Sequence, residues 1–154
     1  MSDLSLAQTA LQRSRTQLPV TSYFDPVLFD QELRLIFQSG PRYLGHELMV
    51  PQVGDFHTLP QEQEGRALVR TDKGVELVSN VCRHRQAVML KGRGNTGGQV
   101  ICPLHRWTYD LRGKLLGAPH FVEDPCLNLR NYPVRNWNGL IFEDNGRDIE
   151  ADLA

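Results

Sequence analysis

The spacing of apolar residues changes near Gly40, from a helical period to the short alternating runs that are typical of β-strands. Asp25 is a favourable N-cap, and Pro26 suits the first helical position. The residues that follow supply an apolar face, and Ser39-Gly40-Pro41 is a typical helix end. The pattern predicts a helix over Asp25 to Gln38, preceded by a helix or loose arm.

Short runs rich in β-branched and aromatic residues follow, separated by turn residues. Thr71-Asp72-Lys73-Gly74 and Trp137-Asn138-Gly139 indicate tight hairpin turns. The predicted strands are Arg42 to Leu44, Gly54 to Thr58, Arg66 to Arg70, Val75 to Ser79, Val100 to Ile101, Trp107 to Asp110, Lys114 to Leu116, Tyr132 to Asn136 and Leu140 to Glu143. One helix before many short strands predicts a mainly β fold, an antiparallel sandwich or small barrel.

The stretch from Cys82 to His120 does not follow this pattern, because it is rich in Gly, Pro, Arg and His. Four glycines lie in its middle, at positions 92, 94, 97 and 98. We expect an inserted subdomain of loops that is held together by something other than hydrophobic burial.

Composition narrows the function classes. Charged residues make up 23% of the 154 residues and the formal net charge is −1, which favours neither nucleic acid nor a membrane surface as a partner. No apolar run is long enough to span a membrane, and residues 1–20 do not resemble a secretory signal, so we expect a cytoplasmic protein. Three cysteines are an odd number, which excludes a complete disulfide framework.

Two short motifs carry the chemistry. Cys82-Arg83-His84 and Cys102-Pro103-Leu104-His105 each offer one thiolate and one imidazole from a single loop. A 2Fe–2S cluster with two cysteines on one iron and two histidines on the other needs these four ligands. We therefore predict that Cys82, His84, Cys102 and His105 bind the cofactor and its metal ions.

A structural zinc site with two cysteines and two histidines is the alternative. Zinc fingers usually pair cysteine with cysteine and histidine with histidine, whereas each motif here mixes the two. The mixed pairs favour the asymmetric iron–sulfur cluster. Cys126 lies far from this spacing, and we expect it to be a free thiol.

Cys-x-His followed by Cys-x-x-His is the Rieske signature. The longer runs Cys82–Arg85 and Cys102–Asp110 resemble the N-terminal part of Rieske non-haem iron oxygenase α subunits, the ring-hydroxylating oxygenases. The resemblance extends from about Tyr23 to Glu143 and includes Gly117-Ala118-Pro119, which is similar to the family's proline loop. Arg106 departs from the family pattern, since most members have glycine there.

The resemblance implies a Rieske-type fold and three parts of the chain. Residues 1–40 form an N-terminal arm and helix, residues 41–150 the Rieske 2Fe–2S domain, and residues 81–120 its cluster-binding subdomain. It also implies one-electron transfer to a mononuclear non-haem iron in a catalytic domain that this chain lacks. That iron would have two histidines and one carboxylate as ligands. His46, His57 and His120 do not complete such a set, so we predict no catalytic residue.

The implied partners are a ferredoxin or flavin reductase as electron donor and the catalytic domain of a neighbouring subunit in a homo-oligomer. In the family, a carboxylate of the next subunit holds the residue that matches His105. Two interpretations fit the chain: the electron-entry domain of a monooxygenase or dioxygenase such as those that hydroxylate aromatic rings, or a stand-alone Rieske ferredoxin. Whether the chain is itself an enzyme stays open. The predicted N-terminal helix favours the first interpretation.

Resemblance also bears on the reduction potential. High-potential Rieske proteins of respiratory complexes carry a disulfide between the two loops, but Ala87 and Leu104 stand at the matching positions. Those proteins also have a hydroxyl residue where this chain has Trp107. We therefore expect a potential at the low end of the Rieske range of about −150 to +300 mV. Tyr109 can donate to a cysteine sulfur or simply pack in the sheet.

The cluster loops are rich in arginine. Four arginines flank the two motifs: Arg83, Arg85, Arg106 and Arg112. They are either solvated loop charges or groups that offset an anionic cluster and steer an acidic electron donor.

Overall fold

The computed structural model describes residues 19–37 and 39–153, and the predicted arm before Pro19 lies outside them. The chain divides into two compact units, Met1–Ser39 and Gly40–Ala154, which are described separately.

The first unit contains the predicted helix. A 3-10 turn, Val20–Phe24, precedes an α-helix over Pro26–Glu32. The Asp25 carboxylate accepts hydrogen bonds from the backbone N–H groups of Val27 (2.9 Å) and Leu28 (3.3 Å), so the predicted N-cap is confirmed. The helix then changes to a π-helical turn, Leu33–Phe37, so the prediction of one regular helix was wrong in this part; its predicted end at Gln38 lies outside the described residues. No contact among the described residues explains this change.

The second unit holds eleven strands among the described residues. They are β1 Arg42–His46, β2 Asp55–Thr58, β3 Arg66–Thr71, β4 Gly74–Ser79, β5 Arg93–Asn95, β6 Gln99–Ile101, β7 Thr108–Asp110, β8 Leu115–Gly117, β9 Asn131–Tyr132, β10 Val134–Trp137 and β11 Leu140–Glu143. Two 3-10 turns, Glu47–Met49 and Pro60–Glu62, and a final helix, Ile149–Leu153, complete the unit.

These strands form antiparallel sheets, which confirms the mainly β prediction. A five-stranded sheet has the order β5-β2-β3-β4-β9, and a three-stranded sheet has the order β1-β11-β10. A second three-stranded sheet, β6-β7-β8, lies in the predicted loop subdomain.

Strand β3 is the centre of the core, because both of its faces are buried. Leu68 packs with Leu77 and Ile141 on one face, while Ala67 and Val69 belong to a second cluster on the other. Successive side chains of a strand point to opposite faces, so a continuous apolar run is what a strand buried on both sides requires.

The last hairpin turns at Asn138-Gly139, as predicted. Both residues have positive φ, 48° and 88°, which is the geometry of a type I′ turn. A side chain at Gly139 would also lie 2.8 Å from Nε2 of His46, so glycine is required twice over.

Two strand predictions were wrong. The predicted strand from Tyr132 to Asn136 is divided at Pro133: β9 pairs with β4, and β10 pairs with β11 in another sheet. Proline has no N–H group for a continuous ladder. Strand β5 was missed because its residues, Arg93–Asn95, are all exposed and give no apolar signal.

Candidate metal centre

The two motifs fold into loops with the same backbone path. In the first loop, Cys82–Ala87, the Cys82 N–H donates to the Ala87 carbonyl (2.9 Å) and the Gln86 N–H donates to the Cys82 carbonyl (2.9 Å). An isolated bridge between Val81 and Val88 closes the loop.

The second loop, Cys102–Trp107, repeats these contacts one for one. The Cys102 N–H donates to the Trp107 carbonyl (2.8 Å), and the Arg106 N–H donates to the Cys102 carbonyl (3.0 Å). The pair Ile101↔Thr108 of β6 and β7 closes the loop. The fifth residue of each loop, Gln86 or Arg106, has φ of 56°. The loops are therefore structural copies, except that histidine is third in the first loop and fourth in the second.

A buried asparagine anchors the first loop to the sheet. The Asn80 amide donates to the carbonyls of Glu64 and Leu90 (both 2.8 Å), and its oxygen accepts from the Leu90 N–H (2.8 Å). Every hydrogen bond of this side chain stays within the protein, so the chain two residues before Cys82 has a fixed position.

The structure brings the four predicted site residues together. Cys82 and Cys102 are only 1% and 2% exposed, belong to one buried cluster and carry free thiols. The rings of His84 and His105 lie 4.6 Å apart between centroids, at 78° to each other. Two buried thiols of one cluster and two adjacent imidazoles are the donor set that a Rieske cluster requires.

Aromatic side chains enclose His84. Trp107, at the end of the opposite loop, stacks on its ring with 5.1 Å between centroids and 5° between planes. Phe121 lies edge-on to both rings, at 6.0 Å from His84 and 5.2 Å from Trp107. Desolvation, with smaller effects of His105 and Arg85, lowers the pKa of His84. A lowered pKa favours the neutral imidazole, which is the form in which histidine binds a metal ion.

Two buried side-chain nitrogens of this site have no hydrogen-bond partner among the described residues. They are Nε1 of Trp107, which can only donate, and Nδ1 of His84, which carries a lone pair in the form that binds a metal ion. Leaving a buried polar atom unsatisfied costs about 1 to 3 kcal/mol, so native proteins rarely do so without a reason. A metal ion accepts the lone pair of the His84 nitrogen, although it does not satisfy the Trp107 N–H, and the residues present therefore fit an iron–sulfur cluster.

Tyr109 of β7 joins the two loops. Its hydroxyl accepts a hydrogen bond from the Arg83 N–H (3.2 Å) and lies 3.6 Å from the Cys82 sulfur. Burial, followed by the contact with Cys82, raises the pKa of Tyr109, so the hydroxyl keeps its proton. The ring is fully buried as well. Both sequence alternatives, packing and a contact with a cysteine sulfur, are thus present in the structure.

Within residues 19–37 and 39–153, no three His, Cys, Asp or Glu side chains converge to hold one metal ion. A two-iron cluster needs only two protein ligands on each iron.

The remaining histidines have local contacts. His46 Nδ1 accepts from the Leu48 N–H (3.1 Å), and His57 Nδ1 lies 2.8 Å from the Thr58 carbonyl. His120 and the free Cys126 are exposed. Sequence reasoning missed Asn80 and Phe121, since neither belongs to a recognisable motif.

The unusual residue Arg106 provides a stability test. A left-handed conformation costs a non-glycine residue about 1 to 2 kcal/mol, and glycine removes this strain. Glycine also raises the conformational entropy of the unfolded chain, so the net gain in stability is smaller than the strain removed. We expect Arg106→Gly to stabilise the protein by about 0.5 to 1 kcal/mol, measured as a higher urea midpoint. Arg106→Ala is the control, because it removes the same charge but keeps Cβ. Equal gains in both variants would show that charge, not backbone strain, is responsible.

No helix in the described part of the chain is both long and apolar enough to cross a membrane.

Paired loops that each carry a thiol and an imidazole, on an antiparallel β scaffold, define an iron–sulfur electron-transfer domain. The family model for the Rieske [2Fe-2S] domain matches residues 42–133, and the chain belongs to that family.

Relatives were found among curated proteins. Putrescine 2-hydroxylase of Ralstonia nicotianae is 60% identical over all of this chain, which covers 41% of that protein. Putrescine 2-hydroxylase of Bordetella bronchiseptica is 54% identical over 92% of the chain and 36% of its own length. The α subunit of biphenyl 2,3-dioxygenase from Rhodococcus jostii is 31% identical over 91% of this chain and 32% of its own length. The chain thus spans about two fifths or less of these relatives.

Solved structures share the fold. Naphthalene 1,2-dioxygenase from Rhodococcus sp. has a TM-score of 0.69 and 28% identity, over 84% of this chain and 32% of that one. A quaternary ammonium Rieske monooxygenase bound to L-carnitine has a TM-score of 0.71, over 88% of this chain and 41% of that one. Its sequence identity is 24%, so this likeness concerns the fold alone.

Proposed function

We propose that this chain is the electron-entry domain of a Rieske oxygenase, with the cluster held by Cys82, His84, Cys102 and His105. The observation that carries the proposal is the buried, unpartnered Nδ1 of His84, beside the ring of His105 and close to two buried free thiols. A buried nitrogen with a free lone pair is suited to bind a metal ion, and two thiols with two imidazoles are the ligand set of a Rieske cluster.

Each side chain has a distinct role in this proposal. The buried Cys82 and Cys102 supply thiolates to one iron, and the half-buried His84 and His105 supply neutral imidazoles to the other. When bound, the cluster would supply one-electron transfer. Trp107 and Phe121 keep water from the face of His84, while the Tyr109 hydroxyl donates to the Cys82 sulfur.

The oxygenase assignment is supported by the relatives. High identity over the whole chain to proteins of more than twice its length favours a domain of an oxygenase over a stand-alone ferredoxin. We propose that electrons pass through His105 to a mononuclear iron in the catalytic domain of a neighbouring subunit of a homo-oligomer. Exposed apolar side chains lie at the metal centre: Leu104, which precedes His105 in the chain, is 61% exposed, and Phe121, which lies edge-on to His84, is 48% exposed. They support a covering protein surface there.

The substrate of the complete protein is proposed from the same comparison. Relatives at 60% and 54% identity are named putrescine 2-hydroxylases, whereas the aromatic-ring dioxygenases compared match at 28% to 33%. We propose hydroxylation of a short aliphatic diamine rather than of an aromatic ring. A ferredoxin or flavin reductase would supply the electrons, in the cytoplasm.

The test is the spectrum of the purified protein. We expect a reddish-brown protein that contains iron and acid-labile sulfide and gives a Rieske EPR signal after reduction. A colourless protein that retains zinc instead would contradict the proposal. The substrate is tested separately by comparing the rates at which the complete oxygenase hydroxylates putrescine and biphenyl.

The reduction potential is a second test. The two loops carry no disulfide, since Cys82, Cys102 and Cys126 are free thiols, and Trp107 offers no hydroxyl group to a bridging sulfide. Hydrogen bonds to the sulfurs stabilise the reduced cluster, so a site with fewer of them has a lower reduction potential. We expect a midpoint near the low end of the Rieske range, below 0 mV, about −150 mV. A redox titration with a midpoint well above zero would show this to be wrong.

Replacing Tyr109 by phenylalanine isolates one hydrogen bond. The variant removes the donor that lies 3.6 Å from the Cys82 sulfur and keeps the buried ring. A hydrogen bond worth about 1 kcal/mol corresponds to roughly 40 mV for a one-electron couple, and the midpoint should fall by that order. Tyr43→Phe, on β1, is the control and should not change the potential. An unchanged potential in Tyr109→Phe would mean that the contact is packing alone.

A further inference from the structure

Arginines of the second unit differ in their partners. Several on or near the sheets form ion pairs with carboxylates: Arg42, Arg66, Arg70, Arg112 and Arg135. Arg83, Arg85 and Arg106 of the cluster loops, and Arg130, have no ion-pair partner among the described residues. The cluster loops therefore carry positive charge that no carboxylate of the described residues neutralises. Ion pairing on the sheets is more extensive but not complete, since Arg93 of β5 also forms no ion pair there.

Two of these unpaired arginines face one cleft. Arg83 and Arg130 line a cleft of about 320 Å³, which also includes Gln86 and Tyr132. Cys82 is part of its wall. No Asp or Glu is among the lining residues. We call this feature the arginine cleft.

The Arg130 guanidinium has a supported position. It lies 4.7 Å from the centroid of the Tyr132 ring. Arg66 contacts the same ring at 4.7 Å, but its charge is satisfied by Glu62 and Glu143. A stacked arginine loses less entropy on binding a carboxylate than a free one, because part of its ordering is already complete.

We propose that the arginine cleft is the docking surface for an acidic electron-donor protein, whose carboxylates pair with Arg83 and Arg130. The proposal rests on the proposed function, since it gives the electron a point of entry beside the ligand Cys82. The whole chain has a net charge of −1 and offers no general attraction to an anionic protein. Only a local field can steer such a donor, and the unpaired arginines supply it.

The experiment measures how fast a reduced protein donor reduces the cluster-loaded chain in a stopped-flow instrument. The probe is an acidic plant-type 2Fe–2S ferredoxin, whose potential near −400 mV makes the transfer favourable. We compare wild type with Arg130→Glu, Arg130→Gln and Arg83→Glu at low and high salt. At low salt, the charge reversals should slow reduction about tenfold or more, with a smaller loss in Arg130→Gln, and high salt should narrow the difference.

Lys73→Glu is the matched control. It changes the net charge by the same amount as an arginine reversal, at an exposed turn before β4. Ser79 of the cleft wall is at the far end of that strand, about 20 Å away by strand rise. The rate at which the ferredoxin reduces Lys73→Glu should stay within twofold of the wild-type rate. The second control is the rate with photoreduced 5-deazariboflavin, a small reductant without charge, which should be the same in all variants.

The outcomes separate the alternatives. Equal low-salt rates in wild type and the arginine variants would overturn the docking proposal while the cluster spectrum still supports the proposed function. Slower reduction by both the ferredoxin and 5-deazariboflavin would mean that the arginines act on the cluster itself, and would overturn it too. Tighter binding of inorganic phosphate to wild type than to Arg130→Gln, without any effect on reduction, would assign the cleft to a small anion. A wild-type protein without a cluster would refute both proposals together.

Discussion

Serine in place of Cys102 is expected to abolish the iron–sulfur cluster, with loss of the visible absorption, the EPR signal and nearly all bound iron and sulfide. The Cys102 side chain is 2% exposed and has no disulfide partner, and its thiolate is one of the two proposed for the inner iron. A serine hydroxyl is far harder to deprotonate and is a poor substitute for a soft thiolate ligand. Iron and sulfide analysis with EPR measures the effect.

Cys126 offers a control with the same chemical change. Its thiol is exposed, and its sulfur contacts only the Asp124 carbonyl, at 3.7 Å, among the hydrogen bonds of the described residues. Cys126→Ser should therefore retain the complete spectrum and iron content. A full cluster in Cys102→Ser, or loss of the cluster in Cys126→Ser, would contradict the ligand assignment.

Alanine in place of Trp107 should cause the largest loss of stability. The indole is completely buried, and it stacks on His84 and contacts Phe121. Truncation of a buried tryptophan leaves a cavity and costs about 3 to 5 kcal/mol. We expect the free energy of unfolding in urea to fall by that amount, with faster cluster loss because His84 is no longer held in place.

Two variants separate packing from general damage. Trp107→Phe keeps an aromatic ring against His84 and should recover most of the stability. Trp137→Ala removes a half-buried indole on the last hairpin, outside the buried cluster that contains the thiols, and should cost clearly less. Equal losses at both positions, or no recovery in Trp107→Phe, would show that the stack on His84 has no special role.

The four residues that we propose as ligands could be selected from the sequence because ligand type and spacing are local properties. The mixed Cys-x-His and Cys-x-x-His motifs fit the usual zinc templates poorly before any fold is known. The ends of strands could be predicted from turn residues such as Asn138-Gly139, because only a few residue types easily adopt the positive φ angles of such turns.

Other features have no comparable signal. The equivalence of the two loops rests on backbone hydrogen bonds, which any pair of residues can make, so the path shared by Gln86 and Arg106 does not appear in the residue pattern. Asn80 fixes the first loop through contacts with Glu64 and Leu90, which are distant in sequence. Exposed β5 lacks apolar residues and is recognised only through its pairing with β2.

The one-residue offset between the histidines of the two loops gives the site a direction. Two identical loops would present two equivalent imidazoles related by approximate twofold symmetry. Instead, His84 stacks on Trp107 and meets Phe121 edge-on, whereas the only aromatic ring in contact with His105 among the described residues is that of His84. His84 is thus packed against two aromatic side chains, whereas His105 is not. We therefore expect a protein that accepts an electron from this domain to approach on the side of His105, and a single shift in sequence position is enough to create this asymmetry.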